Sequence, residues 1–387
     1  MTENTASTPA GGHTGQALKY HRVVAKVGTN VLTAGTASLN EGVMSELVGQ
    51  VARLHARGAE VIIVTSGAIA AGRHRLRMAK DRKDVPFRQV LAAIGQTDLM
   101  EAYRDLFAEH GITIAQALLT KQDLSDRQGY LNARNTFIAL LELSVVPIVN
   151  ENDVVGVDEI EESKIGDNDN LSALVANLVD ADLLALLTDT GGLYTADPHH
   201  DSSAELIPIV EKIDDRIESL AGANTDGIGV GGMETKIQAA RLALGGGTDV
   251  VIAPGKEPET LVRAAEGERV GTYFPSTANR MESRKRWILT GLSIKGNIVV
   301  DAGAAKVLRE DNRSLLAAGV QDVEGSFERG DAVAIIDGTG TRIACGIADY
   351  GSEDILRIRG IRSDKIESVL GHQYGSEVVH RDNLALL

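Results

Sequence analysis

The sequence contains a single cysteine, Cys345, in 387 residues. One cysteine excludes an intramolecular disulfide and a cysteine-rich metal site, and this usage fits a reducing cytoplasm. Aromatic residues are also scarce, at 3%, whereas hydrophobic residues make up 43% of the chain. The core must therefore be built from Ala, Val, Leu and Ile, which is typical of α/β proteins with buried parallel strands.

The sequence lacks an uninterrupted apolar run long enough to cross a membrane. The longest candidate, LSALVANLVDADLLALLT, is interrupted by Asp180 and Asp182. Residues 1–20 contain neither an apolar run nor a basic start, so we predict a disordered N-terminal tail and no signal peptide. The net charge of −15 argues against a general binder of nucleic acid or of anionic membranes. We therefore predict a cytoplasmic protein that does not associate with membranes.

From residue 21 onward, short β-branched runs alternate with amphipathic runs rich in Ala and Leu. Helical runs such as EGVMSELVGQVARLHARG and TKIQAARLALGG separate most of the short ones. This alternation predicts a mostly parallel sheet with helices on both faces, with ligands bound beyond the carboxyl ends of the strands. The six predicted strands are RVVAKVG, EVIIVTSG, ITIAQALLT, VVPIVNEND, DLLALLTD and DVVIAPG.

The pattern changes after NRMESRKRWILTG, residues 279–291, which we interpret as a surface linker. GNIVVDAGAAKVL, GDAVAIIDGTG and TRIACGIADY then indicate short strands and turns, followed by a polar tail. We therefore predict a larger α/β domain over residues 21–278 and a small, mostly β domain over residues 292–387.

Two lysines stand where an anion would be expected. Lys26 lies near the end of the first predicted strand, where a buried lysine is costly unless it meets an anion, although it could instead snorkel to solvent. Gly28 would let the backbone approach a phosphate closely. Lys236 lies in the first turn of the helix that follows GVGG, where it opposes the helix dipole unless a polyphosphate binds there. The spacing is not that of a P-loop.

The segment from residue 150 to 175 begins and ends with Asn/Asp runs, and seven acidic residues but one lysine lie from Asp153 to Asp169. Carboxylates this concentrated repel unless cations lie between them, and magnesium and a substrate ammonium both fit. Asp153 can accept hydrogen bonds from an ammonium, and Asn168 can also donate to a carboxylate. Asp169 could be held between two lysines. Alternatively, Asp169 or Asn170 simply caps the next helix.

Polar residues end two further predicted strands. Ser66, in TSGAIAAG, could cap the following helix or, with neighbouring amides, hold an anionic substrate group, and the sequence leaves both open. Thr188 and Asp189, in LLTDTGGLYTADP, could line a nucleotide pocket, although a plain turn accounts for them alone. The basic run RHRLRMAKDRKD is predicted to be a solvated helix and loop. The nine histidines show no paired-ligand spacing, so a zinc site is not expected.

Taken together, the motifs resemble those of the bacterial glutamate 5-kinases (γ-glutamyl kinases), of the amino-acid kinase family. The resemblance runs from about residue 21 to the C-terminus and implies a three-layer α/β/α sandwich followed by a PUA domain. The segment GVDEIEESKI is longer than in the enterobacterial pattern, and the linker reads MESR where that pattern often has ENR. The matching motifs are KVGTNVL, VTSGAIAAG, VLAAIGQTDLM, LNARNT, VPIVNENDVV, GDNDNLSALVA, LLTDTGGLYTADP, GGMETKIQAA and NRMESRKRWI.

The resemblance implies transfer of the γ-phosphoryl group of ATP to the side-chain carboxylate of L-glutamate, the first step of proline synthesis. It implies a requirement for Mg²⁺ and feedback inhibition by L-proline, and we expect a homo-oligomer. Lys26 and Lys236 would stabilise the transferring phosphoryl group, with Asp169 organising them. L-glutamate would be held by Ser66, Asp153 and Asn168. ATP would be bound by Lys26, Thr188, Asp189, Val230, Gly231, Gly232, Met233, Glu234, Thr235 and Lys236; no direct metal ligand can be named.

Two other functions compete with this one. A related kinase could act on aspartate, acetylglutamate or carbamate, but the paired Asn/Asp runs and the C-terminal β domain favour free glutamate. PUA domains elsewhere bind RNA, and an RNA module should show a basic stripe. Residues 292–387 hold 11 Lys and Arg against 15 Asp and Glu, a net charge of −4, so nucleic acid is not an expected partner.

Overall fold

The computed structural model describes residues 17–77, 84–125, 127–156, 167–198, 200–222, 232–277, 294–311 and 313–387. Its larger part contains a seven-stranded sheet with the order β3-β4-β2-β1-β5-β6-β7. All neighbours pair in parallel except β7, which is antiparallel to β6. The strands are β1 (Arg22–Val27), β2 (Glu60–Thr65), β3 (Ile114–Leu119), β4 (Val146–Glu151), β5 (Leu183–Thr188), β6 (Asp249–Pro254) and β7 (Thr272–Phe274). The first six lie within the predicted strands, whereas the short edge strand β7 was not predicted.

Helices cover both faces of the sheet, which confirms the α/β/α sandwich. Side chains of α2, α4 and α10 form the core on one face, and those of α6 to α9 form it on the other. The helices are α1 (Thr29–Leu32), α2 (Glu41–Ala56), α3 (Ala68–Arg75), α4 (Val85–Ala108), α5 (Lys121–Ser125), α6 (Arg127–Glu142), α7 (Asp167–Leu178), α8 (Asp215–Gly222), α9 (Met233–Gly246) and α10 (Thr260–Ala265).

Strand β1 shows how the sheet directs one lysine. Side chains alternate between the two faces of a strand. Val23 and Ala25 belong to the core under α2 and α4, whereas Val24 belongs to the core under α7 and α9. Lys26 lies two residues after Val24 and so points to the face where α7 and α9 begin.

The smaller part of the chain is a separate, mainly stranded domain with its own core. One sheet has the order β10-β8-β11-β12-β14, and β13 pairs with β9. Its strands are β8 (Ile294–Val300), β9 (Leu315–Leu316), β10 (Val320–Gly325), β11 (Ala332–Asp337), β12 (Arg342–Ile347), β13 (Glu377–Val379) and β14 (Leu384–Leu386). Its helices are α11 (Ala302–Asp311), α12 (Ser352–Ile358) and α13 (Ile366–Leu370).

Two sequence interpretations in this domain were wrong. The second half of GNIVVDAGAAKVL is the helix α11, which begins after Asp301, whose side chain accepts a hydrogen bond from the backbone N–H of Ala304. The predicted polar tail contains α12, α13, β13 and β14. It is ordered because isolated apolar residues, among them Ile355 and Ile366, are fully buried in the domain core.

The N-terminal prediction needs a correction as well. The end of the predicted tail is packed, because Tyr20 is buried and its hydroxyl donates to Asp249 over 2.7 Å. The rest of the tail, and the linker at 279–291, lie outside the described residues and stay predictions. Within the described ranges, no helix is both long and apolar enough to cross a membrane.

Candidate functional site

A cavity of about 290 Å³ opens at the carboxyl ends of β1, β2, β4 and β5. This is the edge of the sheet where ligands of open α/β folds bind. Seven of the predicted site residues lie on α7, on α9 or at these strand ends and line this one cavity. The polar side chains that line it are those of Lys26, Thr29, Asn30, Ser66, Arg73, Arg88, Asn150, Asp153, Asn168, Thr188, Asp189 and Lys236.

Three charged side chains form what we call the lysine–aspartate cluster: Lys26, Asp169 and Lys236. The Nζ atom of Lys26 lies 2.6 Å from Oδ1 of Asp169, and Nζ of Lys236 lies 3.3 Å from Oδ2. Thr235 also donates its hydroxyl to Oδ2 over 2.8 Å. The side chain of Asp169 is 0% exposed, so one fully buried carboxylate meets the ammonium groups of both lysines.

Burial and charge act against each other in this cluster. Burial alone would raise the pKa of Asp169, but Lys26 and Lys236 outweigh it, and the pKa of this carboxyl lies below its usual value. Burial lowers the pKa of Lys236, which Asp169 opposes and Lys26 reinforces. Asp169 therefore stays ionised at neutral pH and favours the protonated form of Lys236.

The beginning of α9 places Lys236 at the cavity. Gly232 is the N-cap, and the Thr235 hydroxyl oxygen, which donates to Asp169, also lies 2.8 Å from the backbone carbonyl oxygen of Gly232. The first backbone N–H groups of a helix have no intrahelical partner, so this end attracts anions. Met233 packs against the core, and Glu234 lines a different cavity, between α7, α8 and α9. Val230 and Gly231 lie outside the described residues.

Helix α7 places two more predicted residues. It begins at Asp167, so Asn168 and Asp169 lie in its first turn, and the alternative that Asp169 or Asn170 caps a later helix start was wrong. Asn168 donates from Nδ2 to Oδ1 of Asn150 over 3.1 Å and to Oγ of Ser66 over 3.2 Å. Both of its N–H groups are therefore used within the protein.

Ser66 lies at the cavity and does not cap the next helix. The N-cap of α3 is Gly67, whose φ of +103° lies in the left-handed region that favours glycine, and no side chain caps the helix. Asp153, which is 6% exposed, also lines the cavity. Ser66, Asn168 and Asp153 thus surround one space with a hydroxyl, an amide and a carboxylate.

Thr188 and Asp189 lie at the end of β5 and also line the cavity, so they do more than form a turn. Asn30 donates to Asp189 over 3.0 Å, and the Thr188 hydroxyl donates to the same carboxylate over 3.2 Å. Burial would raise the pKa of Asp189, but the hydrogen bonds from Asn30, its own backbone and Thr188 hold it below its usual value.

Two arginines in the cavity wall were missed by the sequence interpretation. Arg73 belongs to the run predicted to be a solvated helix and loop, and Arg88 lies on α4. The spacing of Arg73 in the sequence could have revealed it. Arg73 lies four residues after Ile69, so both lie on one face of the helix that begins just after the strand end at Ser66. Arg88 had no such signal, since its position depends on how α4 packs on α3.

Comparisons of the sequence with known protein families agree with these features. A profile of the Amino acid kinase family matches residues 21–254, and one of the PUA domain matches residues 296–370. A glutamate 5-kinase of Dehalococcoides mccartyi is 53% identical over 95% of this chain and 99% of that protein. A glutamate 5-kinase of Herpetosiphon aurantiacus is 50% identical over 94% of this chain and 98% of that protein. Among solved structures, a UMP kinase from Bacillus anthracis matches with a TM-score of 0.46 and 17% identity, covering 67% of this chain and 97% of that one.

Proposed function

Because the chain belongs to the amino acid kinase family, we propose that it transfers the γ-phosphoryl group of ATP to the side-chain carboxylate of L-glutamate. The products would be L-glutamyl 5-phosphate and ADP. The observation that carries this proposal is that one cavity joins the lysine–aspartate cluster to a space lined by Ser66, Asp153 and Asn168. The similarity to glutamate 5-kinases over almost the whole chain supports the same substrate.

The lysine–aspartate cluster suits the phosphoryl-transfer half of the reaction. A carboxylate oxygen attacks the γ-phosphorus in line as the bond from that phosphorus to the β,γ-bridging oxygen breaks, and ADP leaves with the bond's electron pair. Such a reaction needs no covalent nucleophile from the protein, so positioning and charge neutralisation supply the rate. Lys26 and Lys236 would neutralise the transferring group, and Asp169 would hold both ammonium groups in place.

The space lined by Ser66, Asp153 and Asn168 suits the amino-acid end of glutamate. An ammonium needs acceptors, which the Asp153 carboxylate and the Asn168 oxygen provide. The α-carboxylate needs donors or cations, which the Ser66 hydroxyl and the two wall arginines, Arg73 and Arg88, provide. The side-chain carboxylate would then extend toward Lys26 and Lys236.

The nucleotide would lie at the other end of the cavity. The first backbone N–H groups of α9, which have no partner within the helix, suit its phosphates, and Thr188 and Asp189 lie at the end of β5 in the same cavity. Lys236 reaches both the nucleotide side and Asp169. Val230, Gly231, Met233 and Glu234 remain predicted ATP contacts.

Magnesium fits this site as an ion that arrives with ATP. In the described part of the chain, no three His, Cys, Asp or Glu side chains group closely enough to form a dedicated metal site. Mg²⁺ typically needs only one or two carboxylates beside substrate phosphates and water. Asp189 is the ionised carboxyl that would hold it, since Asp169 is engaged by two lysines. When bound, Mg²⁺ would supply neutralisation of phosphate charge.

We also propose that the reaction is the first step of L-proline synthesis and that L-proline inhibits it. Proline carries an α-carboxylate and an ammonium but no side-chain carboxylate to phosphorylate. The space at Ser66, Asp153 and Asn168 would accept these two groups, so proline should compete with glutamate and not with ATP. A cytoplasmic location and a homo-oligomeric state belong to the same proposal.

The test is an ATP-dependent assay with L-glutamate in which hydroxylamine traps the acyl phosphate. L-aspartate, N-acetyl-L-glutamate and carbamate serve as competing substrates in parallel reactions. Hydroxamate should form with L-glutamate and should require Mg²⁺. A clear preference for another acid, or no hydroxamate with any of them, would overturn the proposal. Varying L-proline against both substrates tests the inhibition, because inhibition that excess glutamate cannot relieve would rule out a shared space.

A further inference from the structure

Gln96, in the motif VLAAIGQTDLM, does not line the cavity but is hydrogen-bonded to a residue that does. Its Oε1 accepts a hydrogen bond from Nδ2 of Asn150 over 2.9 Å, and Asn150 lines the cavity. A close crossing of α3 and α4 brings it there. A Cβ atom on Gly95 would lie 1.8 Å from the backbone oxygen of Ala68, and one on Gly72 would lie 2.0 Å from that of Leu91. The two helices therefore touch through their backbones, and Gln96 reaches the end of β4.

Gln96, Asn150, Asn168 and Ser66 are joined by a series of hydrogen bonds. A backbone group sets the direction of these bonds. The N–H of Glu151 can only donate, and it donates to Asn150 over 2.9 Å, so the atom it meets must be the amide oxygen of Asn150. The nitrogen of Asn150 must then face Gln96, whose oxygen accepts. For the same reason Asn168 must present its nitrogen to Asn150.

These directions decide what the substrate meets. Because Asn168 uses both N–H groups on Asn150 and Ser66, the group of its amide that a ligand would meet is the oxygen, an acceptor suited to an ammonium. Because Ser66 accepts from Asn168, its own hydroxyl hydrogen can be donated to a carboxylate. The opposite arrangement would aim an amide N–H₂ at the ammonium and repel it.

We propose that Gln96 is a positioning residue that, together with the backbone N–H of Glu151, holds the amide of Asn150 and so maintains the donor and acceptor directions along Gln96–Asn150–Asn168–Ser66, and through them the orientation of bound L-glutamate. This inference rests on the proposed function. Gln96 itself does not line the cavity. Its Oε1 holds the nitrogen of Asn150 while the backbone N–H of Glu151 holds the oxygen, and an Asn150 that has lost one of these two bonds holds Asn168 less firmly.

Two variants separate the acceptor from the rest of the side chain. Gln96→Met keeps the length but leaves the buried Nδ2 of Asn150 without an acceptor. KM and Kd for L-glutamate should then rise about 5- to 30-fold, while Kd for an ATP analogue should change less than about twofold, since the analogue does not depend on these hydrogen bonds. Gln96→Glu keeps an acceptor oxygen. It should recover most of the affinity, because among the described residues the buried Nε2 of Gln96 has no hydrogen-bond partner to lose.

Gln50 provides a matched control. It is buried in α2, and its Oε1 accepts from the backbone N–H of Leu261 over 2.7 Å, away from the cavity. Gln50→Met should lower Tm as Gln96→Met does but leave KM for L-glutamate unchanged. A merely structural role for Gln96 would make the two variants behave alike.

The measurements are steady-state kinetics with L-glutamate and ATP each varied, calorimetric titration of each ligand, and Tm. If the wild-type protein neither binds nor phosphorylates L-glutamate, the proposed function and this inference both fall. If it does both, and Gln96→Met keeps the wild-type KM and Kd for L-glutamate, only the inference about Gln96 is overturned. Equal losses in Gln96→Met and Gln96→Glu would also overturn it. Should Gln96→Met not fold, Gln96→Asn withdraws the acceptor in the same way and gives the same comparison.

Discussion

Replacing Asp169 by asparagine tests whether one carboxylate controls both lysines. The substitution keeps the size of the side chain and the hydrogen bond that Ser172 donates to the backbone oxygen of residue 169. It removes the negative charge that lies 2.6 Å from Lys26 and 3.3 Å from Lys236. The net charge of the cluster rises from +1 to +2 in a space where the lysine side chains are 7% and 8% exposed.

The expected effect follows from that burial. Removing one partner of a buried ion pair costs about 3–5 kcal/mol, because the remaining charge stays buried without compensation. The protein can reduce this cost by releasing a proton from one lysine. Lys236 should release it, since burial already lowers its pKa and Asp169 opposes that shift. The alkaline limb of kcat against pH should therefore move to lower pH. Turnover at neutral pH should fall about 10²–10³-fold, as when one electrostatic donor to a transition state is removed.

The assay is initial rate at saturating ATP, Mg²⁺ and L-glutamate, from about pH 6 to pH 11, a range that spans the ordinary lysine pKa of about 10.4. Asp180→Asn is the matched control. Asp180 follows the other end of α7 and pairs with the buried Arg134 over 2.7 Å. Its loss should lower Tm but leave the pH profile in place. An Asp169→Asn enzyme with wild-type turnover and an unmoved alkaline limb would refute the role given to Asp169.

Three further substitutions address other parts of the protein. Asp153→Asn should weaken the binding of L-glutamate by up to about 3–5 kcal/mol and so raise KM for L-glutamate, while KM for ATP stays unchanged. An unchanged KM for L-glutamate in steady-state kinetics would contradict this. Tyr103→Phe removes the hydroxyl that lies 2.9 Å from the buried Thr65 hydroxyl, which itself donates to the backbone oxygen of Ser66. We expect a loss of about 1 kcal/mol in urea denaturation and a higher KM for glutamate; unchanged values of both would count against it. Burial raises the pKa of Asp349 to about 7. A raised carboxyl pKa contributes stability that is present below about pH 4 and is lost as pH rises through about 7. Tm should therefore fall over that window in the wild type and not in Asp349→Asn, and parallel curves would contradict this.

The sequence predicted the position of the cavity because parallel strands end at one edge of a sheet. Alternation along β1 even determines the face that Lys26 occupies, since that face is shared with Val24. Strand β7 could not be predicted in the same way. It has three residues and is placed by its pairing with β6. Helix α11 was missed because AGAAKVL is too short to show a helical period, and only the cap at Asp301 decides it.

The residues that the sequence did not reveal are those whose direction depends on packing between helices. Arg88 and Gln96 reach the site because Gly72 and Gly95 let α3 and α4 cross with their backbones in contact. A glycine in a helix is compatible with many neighbours, so the motif alone does not state which helix approaches it. Both side chains then lie on α4, far along the chain from the strand ends that they serve.

The acidic segment shows why charge density alone did not assign roles. Its two ends carry similar runs, yet Asp169 is neutralised within the protein by Lys26 and Lys236, whereas Asp153 faces the space proposed for an ammonium. A carboxylate paired inside the protein positions other groups, and one turned to the cavity selects a ligand. Removing the charge at each end separately should therefore affect different kinetic constants. Asp169→Asn should change kcat and its pH profile, and Asp153→Asn should change KM for glutamate. If both substitutions changed the same constant in the same proportion, the two ends would act as one acidic patch, and the division of roles argued from these contacts would be wrong.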